Sequence, residues 1–336
     1  MINVSVVIVC YNAYEHIEDC IKSLLAQTYP KEHFEILFID NASKDGTLDI
    51  IKDYVVNFPI IRLIVNPIIG IATSRNIGIR EAKYEYIAST DSDCTVPNDW
   101  LNTLVNGYEL HHKNDESVVA VGGGNIPPHN STRFHKALGI FLNSYLGSRG
   151  SVQGFRFSTD RIVPHIPNVN VMHTKKILLQ IGGYDESFGN IGEDQDVSFR
   201  LAEKRYKYYY LNKSFVWHKL RSSYSSWLKN MFIYGKGRMW LLRKHPNTLH
   251  LFFVVPMLLV LSLPLGVLPL WRPILIFPLF YCTLIFLYSI WICISRKESH
   301  LILILFSLYV GTHLAYGLGE IYGLIKNRDM KKSSRW

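Results

Sequence analysis

Tyr86-Ile87-Ala88-Ser89-Thr90-Asp91-Ser92-Asp93 is a short apolar run that ends in two carboxylates one residue apart. In an extended segment alternate side chains share a face, so Asp91 and Asp93 can point the same way. If the run is a strand of an open α/β sheet, the pair stands at its carboxyl edge, where such folds hold ligands. Two carboxylates there repel each other unless a cation or the polar groups of a nucleotide offset the charge. Mg²⁺ or Mn²⁺ carried in with a diphosphate meets that need, because hard cations take oxygen ligands and often bind through few carboxylates plus phosphates. A solvated turn fits the same four residues, since Asp and Ser favour turns. The neighbouring segments decide between the two.

Those segments alternate strand and helix. Val4 to Val9 is a β-branched run suited to a buried parallel strand. Ile17, Cys20, Ile21, Leu24 and Leu25 then make a helical stripe. Phe34 to Ile39 is a second strand ending at Asp40, followed by the turn Ser43-Lys44-Asp45-Gly46-Thr47 and a helix lined by Leu48, Ile51, Tyr54 and Val55. Ile61 to Val65 is a third strand, Ile71 to Lys83 a helix, and Tyr86 to Ser89 the fourth strand. Asn98 can cap a further helix, and Val118 to Val121 gives a fifth strand. The expected fold is a mostly parallel α/β sheet with helices on both faces and polar residues Asn12, Asp40, Asp91 and Asp93 at its strand ends. The first turn has neither a Gly-x-Gly-x-x-Gly nor a P-loop, so a nucleotide here is held by side chains and a metal.

Composition divides the chain. Of its 336 residues 48% are hydrophobic and 19% charged, and the apolar excess lies between Leu249 and Ile325. Leu249–Leu270, Pro273–Ile294 and Leu301–Ile325 are each long enough to cross hydrocarbon, which takes about 20 residues. Pro256, Pro264 and Pro269 leave the first segment open as a re-entrant or interfacial hairpin, so two or three spans are expected. The net charge of +9 gathers beside this region, in Lys236, Arg238, Arg243 and Lys244 and in the tail after Ile325, a pattern that suits an anionic membrane surface better than nucleic acid. The five cysteines are scattered with no Cys-x-x-Cys, which supports neither a disulfide framework nor a zinc site and favours a reducing, cytoplasmic setting. No signal peptide is expected from the N-terminus. The boundaries that follow are a catalytic domain over 1–220, interfacial amphipathic helices over 221–248, transmembrane helices over 249–326 and a basic tail over 327–336.

Two later blocks carry more chemistry. Ser148-Arg149-Gly150-Ser151 and Gly154 read as a loop, either over a site or as a plain surface insertion. Gly182-Gly183-Tyr184-Asp185-Glu186 is a turn, and Gly192-Glu193-Asp194-Gln195-Asp196 opens a helix whose stripe includes Val197 and Leu201. Acids at a helix N-terminus are ordinary dipole partners. A carboxylate beside another acidic site can equally be a general base.

Taken in order, these motifs resemble glycosyltransferase family 2, the inverting enzymes of the GT-A fold, and most of all its membrane-attached members that build polysaccharides or lipid-linked sugars. The resemblance runs from Val4 to about residue 245. It is carried by Val4-Ser5-Val6-Val7-Ile8-Val9-Cys10-Tyr11-Asn12, Asp40, Ser43-Lys44-Asp45-Gly46-Thr47, Ser74-Arg75-Asn76-Ile77-Gly78, Asp91-Ser92-Asp93, Gly182-Gly183-Tyr184-Asp185-Glu186 and Gly192-Glu193-Asp194. It implies that Asp40 binds the base, that Asn12 and Asp45 lie around the nucleoside, and that Arg75 holds Asp91 against the donor. It further implies Asp93 as ligand of Mg²⁺ or Mn²⁺, Asp194 as catalytic base and His218 as a second metal ligand. Arg221, Lys236 and Arg238 fall where the leaving diphosphate is often steadied, or else meet lipid headgroups. Glu193 and Asn170 are candidates on the acceptor side. A Cys10 stands where the family usually has a Pro-Thr or Pro-x before the Tyr-Asn. Tyr234-Gly235-Lys236-Gly237-Arg238-Met239-Trp240 only distantly echoes the signature of processive synthases, which favours one sugar per encounter.

The expected activity is transfer of a sugar, with UDP-sugars favoured, from a nucleotide diphosphate to polyprenyl phosphate or a polyprenyl-linked saccharide. The expected location is the cell membrane with the catalytic domain in the cytoplasm, and nucleic acid is not an expected partner. Three rivals stand beside it. A GT-A-like nucleotidyltransferase would carry a glycine-rich basic loop near the N-terminus, absent here. A non-catalytic membrane scaffold would not need Asp40, Asp91, Asp93 and Asp194 together at strand and helix ends. A transporter is disfavoured because Glu320 and His313 are almost the only ionisable residues in the apolar segments.

Overall fold

A computed structural model describes residues 1–128, 132–188, 190–219 and 223–326. They form two compact units, one from the described residues of 1–128 and 150–219, the other from those of 132–149 and 223–326. The first unit begins with β1 (Val4–Cys10), α1 (Tyr14–Leu25), β2 (Phe34–Asp40), α2 (Thr47–Asn57), β3 (Ile61–Val65), α3 (Ile71–Glu81) and β4 (Tyr86–Asp91). It continues through β5 (Cys94–Thr95), α4 (Trp100–Asn114) and β6 (Val118–Ile126). Helices α5 (Arg133–Leu142) and α6 (Tyr145–Ser148) belong to the second unit. The first unit then resumes with β7 (Arg161–Val163), β8 (Val171–Thr174), α7 (Lys175–Gln180), α8 (Glu193–Glu203) and β9 (Lys207–His218).

The strands make one sheet in the order β3-β2-β1-β4-β8-β6-β9-β5, with β7 on β9. Its first four strands are parallel, with Val4 opposite both Phe34 and Tyr86. Alternation along β1 explains the apolar run: Val4, Val6 and Ile8 pack with Ile17, Cys20, Ile21 and Leu24 of α1, while Val7 enters the core on the opposite face. Phe34, Ile36 and Phe38 of β2 divide from Leu37 and Ile39 in the same way. Burying each such side chain contributes about 1.5–3 kcal/mol. On the second face α3 lies close against β1. A Cβ added at Gly78 would stand 2.4 Å from Val7 Cγ1.

The strand–helix alternation expected from the sequence stops at β6. Beyond it, β8 runs antiparallel between β4 and β6, and β9 runs parallel to β6. Helix α4 starts one residue later than expected, after Asp99, and no side-chain cap bond is made there.

The second unit is helical. Besides α5 and α6 it holds α9 (Tyr224–Lys244), α10 (Leu251–Leu265), α11 (Ile276–Ser295) and α12 (Ile302–Ile325). Ser223 and Ser226 form a capping box at the start of α9. Phe141, Trp227, Leu305, Leu308 and Tyr309 are part of its core. Two helical segments, Pro269–Ser295 and Ser299–Ile325, are long and apolar enough to cross a membrane, with mean hydropathies of 2.1 and 1.8. The first apolar stretch is shorter than expected. Its helix has 15 residues with Pro256 and Pro264 inside it. At about 1.5 Å per residue that is roughly 22 Å, short of a hydrocarbon core about 30 Å thick. Arg221 and the basic tail lie outside the described residues.

Candidate active site

Parallel register brings the acidic strand ends to one edge, because Cys10 lies opposite Asp40 and Val9 opposite Asp91. The loops beyond that edge are tied together by three of the candidate residues. Asn12, in the left-handed region at φ 47°, receives a hydrogen bond from Lys44 N at 2.9 Å and gives its own N–H to Ser43 Oγ at 2.9 Å. The Asp45 carboxylate accepts from Tyr14 N at 3.0 Å and from Thr47 N at 3.1 Å. Burial works against its ionised form, yet the hydrogen bonds from Thr47 and Tyr14 prevail and hold the carboxyl below its ordinary value. Asp40 is fully buried and accepts from Ser43 N at 3.0 Å.

Helix α3 joins the edge to the later motifs. Arg75 NH2 lies 3.7 Å from Asp91 Oδ1, and its NH1 donates to Glu193 Oε1 at the start of α8. Burial pushes the Glu193 carboxyl up to about 7, with the guanidinium pulling the other way. Partial burial likewise raises the Asp91 carboxyl, although its side chain is 37% exposed; Arg75 opposes the shift and the Asp93 charge adds to it. Asn76 accepts from Tyr184 N at 2.8 Å and donates to Tyr184 O and to Glu186 Oε1, both at 2.9 Å. Gly183 lets the turn come this close: its φ is +68°, and a Cβ there would meet Asn76 Oδ1 at 2.5 Å. Asp91 is within electrostatic reach of Arg75, Asp93, His218 and Asp194 together.

The far end of β9 supplies the histidine. Antiparallel pairing sets Cys94 of β5 opposite His218, and His218 Nε2 lies 3.3 Å from Asp93 Oδ1. The other ring nitrogen, Nδ1, is 2.8 Å from Asn125 Nδ2 at the end of β6. Asp93, Cys94 and His218 each bring a ligand atom within 4.8 Å of the others. Carboxylate oxygen with imidazole nitrogen is a donor set that Mn²⁺ and Mg²⁺ accept. Burial and the charges of Asp93 and Asp91 push the Cys94 thiol well up, so the pair that fits a hard cation is Asp93 and His218.

A sequence model of the family described as Glycosyl transferase family 2 matches residues 5–177, half of the chain. The chain belongs to that family. It is 25% identical over 337 residues to the dolichyl N-acetyl-alpha-D-glucosaminyl phosphate 3-beta-D-2,3-diacetamido-2,3-dideoxy-beta-D-glucuronosyltransferase of Methanococcus voltae, covering 98% of this chain and 99% of that protein. Glycosyltransferase AglE of Haloferax volcanii is 32% identical over 126 residues, 36% of this chain and 41% of that one. The poly-beta-1,6-N-acetyl-D-glucosamine synthase of Staphylococcus epidermidis is 29% identical over 216 residues, 64% of this chain and 49% of that one. The chain thus spans about half, or less, of the length of the last two relatives. In fold it is similar to the mannosyltransferase PcManGT from Pyrobaculum calidifontis, solved with GDP-Man and Mn²⁺, with a TM-score of 0.62 at 15% identity over 96% of this chain and 87% of that one.

In this family 2 glycosyltransferase the remaining candidates fall into three groups. Asp194, the second residue of α8, is partly exposed, its Oδ2 lying 3.6 Å from His165 Nε2. Asn170, expected on the acceptor side, is instead a framework residue. It has no exposed surface, accepts from Trp100 Nε1 at 2.8 Å and Ser214 Oγ at 3.1 Å, and donates to Gly124 O at 3.1 Å. Lys236 and Arg238 are on α9 in the second unit, Lys236 over the Trp240 ring at 4.9 Å and Arg238 over Phe253 at 4.0 Å. Arg238 also interacts with Tyr316 and Glu320. Sequence reasoning missed His165 and Asn125. Each meets its partner across dozens of residues, and the only nearby signal is the Pro167-Asn168 that follows His165.

Proposed function

We propose that the protein transfers a sugar, with inversion, from a nucleotide-diphosphate sugar to a lipid-linked acceptor in glycan or polysaccharide assembly. The observation that carries the reading is the convergence of Asp91, Asp93, His218, Arg75 and Asp194 around one sheet edge. The names of the Methanococcus relative, which matches along nearly the whole chain, and of the mannosyltransferase with its GDP-Man and Mn²⁺ support a lipid-linked acceptor and a metal-assisted donor. Two long apolar helices support membrane attachment, and the scattered cysteines without a Cys-x-x-Cys favour a cytoplasmic side for the catalytic unit.

Asp93 and His218 are the residues to hold Mg²⁺ or Mn²⁺, which when bound offsets charge growing on the leaving diphosphate. Asp40, Asn12 and Asp45 shape the nucleoside end, and UDP is the favoured carrier. Arg75 keeps the Asp91 carboxylate oriented toward the donor, and Glu193 in turn keeps Arg75 in place. Asp194 takes the acceptor proton, a contribution of about 10²- to 10⁴-fold. Lys236 and Arg238 are offered to the diphosphate or to lipid headgroups. The test incubates purified protein with Mn²⁺ or Mg²⁺ and a panel of nucleotide sugars, with and without polyprenyl phosphate or a polyprenyl-linked saccharide, and measures released nucleotide. Metal-dependent release that rises with the lipid acceptor is expected. No release from any donor would overturn the reading.

A further inference from the structure

Asp194 does not stand alone. His165 Nε2 faces its Oδ2 at 3.6 Å, and on the other side of the ring Nδ1 lies 2.7 Å from Ser198 Oγ. Ser198 is one helical turn beyond Asp194, and its hydroxyl donates to the Asp194 carbonyl oxygen at 3.0 Å. That carbonyl can only accept, and Ser198 also hydrogen-bonds Tyr208; when the Ser198 proton lies on the carbonyl, the hydroxyl oxygen is left to accept from Nδ1–H. In that arrangement the neutral ring carries its proton on Nδ1 and turns Nε2 toward the carboxylate. The separation is longer than a hydrogen bond, as is common for catalytic contacts before substrate is bound. Among the described residues, the other titratable or charged groups around the pair are Asp91, Glu193, Arg75 and Tyr184, together with His173 of β8 and Tyr208 of β9.

We propose that His165 is the proton acceptor behind Asp194, and that the acceptor substrate is accordingly a hydroxyl group of a lipid-linked saccharide. In the step, the acceptor O–H bond breaks as its oxygen forms the new bond to the anomeric carbon and the nucleotide diphosphate leaves with the bonding pair. The proton goes to Asp194 Oδ2 and on to His165 Nε2, leaving an imidazolium beside a carboxylate. A sugar hydroxyl needs such a base. A phosphate monoester, whose second pKa is about 6, is already largely ionised near neutral pH and does not. The inference rests on Asp194 as base, and His165 acts through it as a positioning and proton-receiving residue.

The test compares wild type, His165→Gln, Ser198→Ala and Asp194→Asn in nucleotide release from UDP-N-acetylglucosamine and GDP-mannose. It is run with water alone, with polyprenyl phosphate and with a polyprenyl-diphosphate-linked N-acetylglucosamine. His165→Gln is expected to lower kcat about tenfold or more with donor KM unchanged, short of the about 10²- to 10⁴-fold span of the base itself. Ser198→Ala, which frees the ring to take the other tautomer, is expected to lower kcat in the same way. An independent readout is the imidazole ¹⁵N spectrum of His165 in the wild-type protein, expected to show Nδ1 protonated and Nε2 unprotonated above the ring's pKa. An Nε2–H tautomer overturns the relay, as does a kcat within twofold of wild type in His165→Gln while Asp194→Asn is inactive. Polyprenyl phosphate used as well as the saccharide, with no dependence on His165, overturns the hydroxyl assignment. An active Asp194→Asn strikes the base assignment itself.

Discussion

Arg75→Met is the perturbation that most directly tests how the site is held together. The Arg75 side chain is 12% exposed and that of Glu193 6%, so their ion pair is shielded from water. Removing one member of a buried pair leaves the other charge uncompensated, a cost of about 3–5 kcal/mol. The 3.7 Å contact to Asp91, whose side chain is 37% exposed, adds little beside that. In Arg75→Met Glu193 is left buried without its partner and must be protonated or stay charged at a cost; in the double variant with Glu193→Gln that ionisable group is gone. Most of the loss should therefore return in the double variant, and the double-mutant cycle should give a coupling of about 2–3 kcal/mol. Unfolding of the four detergent-solubilised proteins, followed by tryptophan fluorescence under identical conditions, measures it. The pH dependence follows from Glu193, whose carboxyl lies at about 7 in the folded chain and would rise further without Arg75. An unfolded glutamate titrates near about 4.3, so above that pH the folded state binds the extra proton and stability falls as pH rises through the folded value. The cost of Arg75→Met should accordingly be smaller at pH 5 than at pH 8. A loss below about 1 kcal/mol with no coupling would refute the argument, because a buried pair cannot be cut so cheaply.

Asp194→Asn should leave donor binding nearly intact and abolish transfer, measured by nucleotide-sugar titration beside product formation; equal loss of both would remove Asp194 from the base role. With the Asn125 amide turned so that its oxygen accepts from His218 Nδ1–H and frees Nε2 for the metal, Asn125→Ala should weaken Mn²⁺ binding about 10- to 100-fold, as loss of a partner behind a ligating histidine does. That is readable by electron paramagnetic resonance of free Mn²⁺, and an unchanged affinity would take His218 out of the metal site. Gly78→Ala should cost about 1–3 kcal/mol in thermal unfolding, since its Cβ would press on Val7 Cγ1 at 2.4 Å. Adding Val7→Ala to Gly78→Ala should recover part of it.

How far the sequence could be read depended on whether a contact is local. The β-branched runs of β1 and β2 are apolar on both faces, and a run of that kind has few homes other than a buried parallel strand. The acidic strand ends followed directly, because parallel register aligns the ends of consecutive strands. Antiparallel β8 left no such trace. Its four residues, Val171 to Thr174, carry no period long enough to recognise, and they follow an excursion into the second unit. Asn170, from the sequence, is a candidate for the acceptor side. Its burial depends on Trp100, Ser214 and Gly124, none of them near it in sequence. His165 was illegible for the same reason, since its meaning lies in the first two turns of α8.

That locality also explains why motifs that are weak singly become specific as an ordered set. Gly78 brings α3 onto Val7, which fixes the helix against β1. One turn earlier, on a neighbouring face, Arg75 then reaches Asp91 from the strand-end motif and Glu193 from the helix-start motif. Asn76 beside it binds Tyr184 and Glu186 of the double-glycine turn, and Gly183 is the residue that lets that turn approach. Each motif is thus one half of a contact whose other half is another motif. Ser-Arg-Asn-x-Gly without an acid at the end of β4 would leave a buried guanidinium short of a partner. Gly-Glu-Asp without Arg75 would bury Glu193 alone. A chance match to any one of them leaves its buried polar groups unsatisfied, and the five together leave none of these side chains without its counterpart.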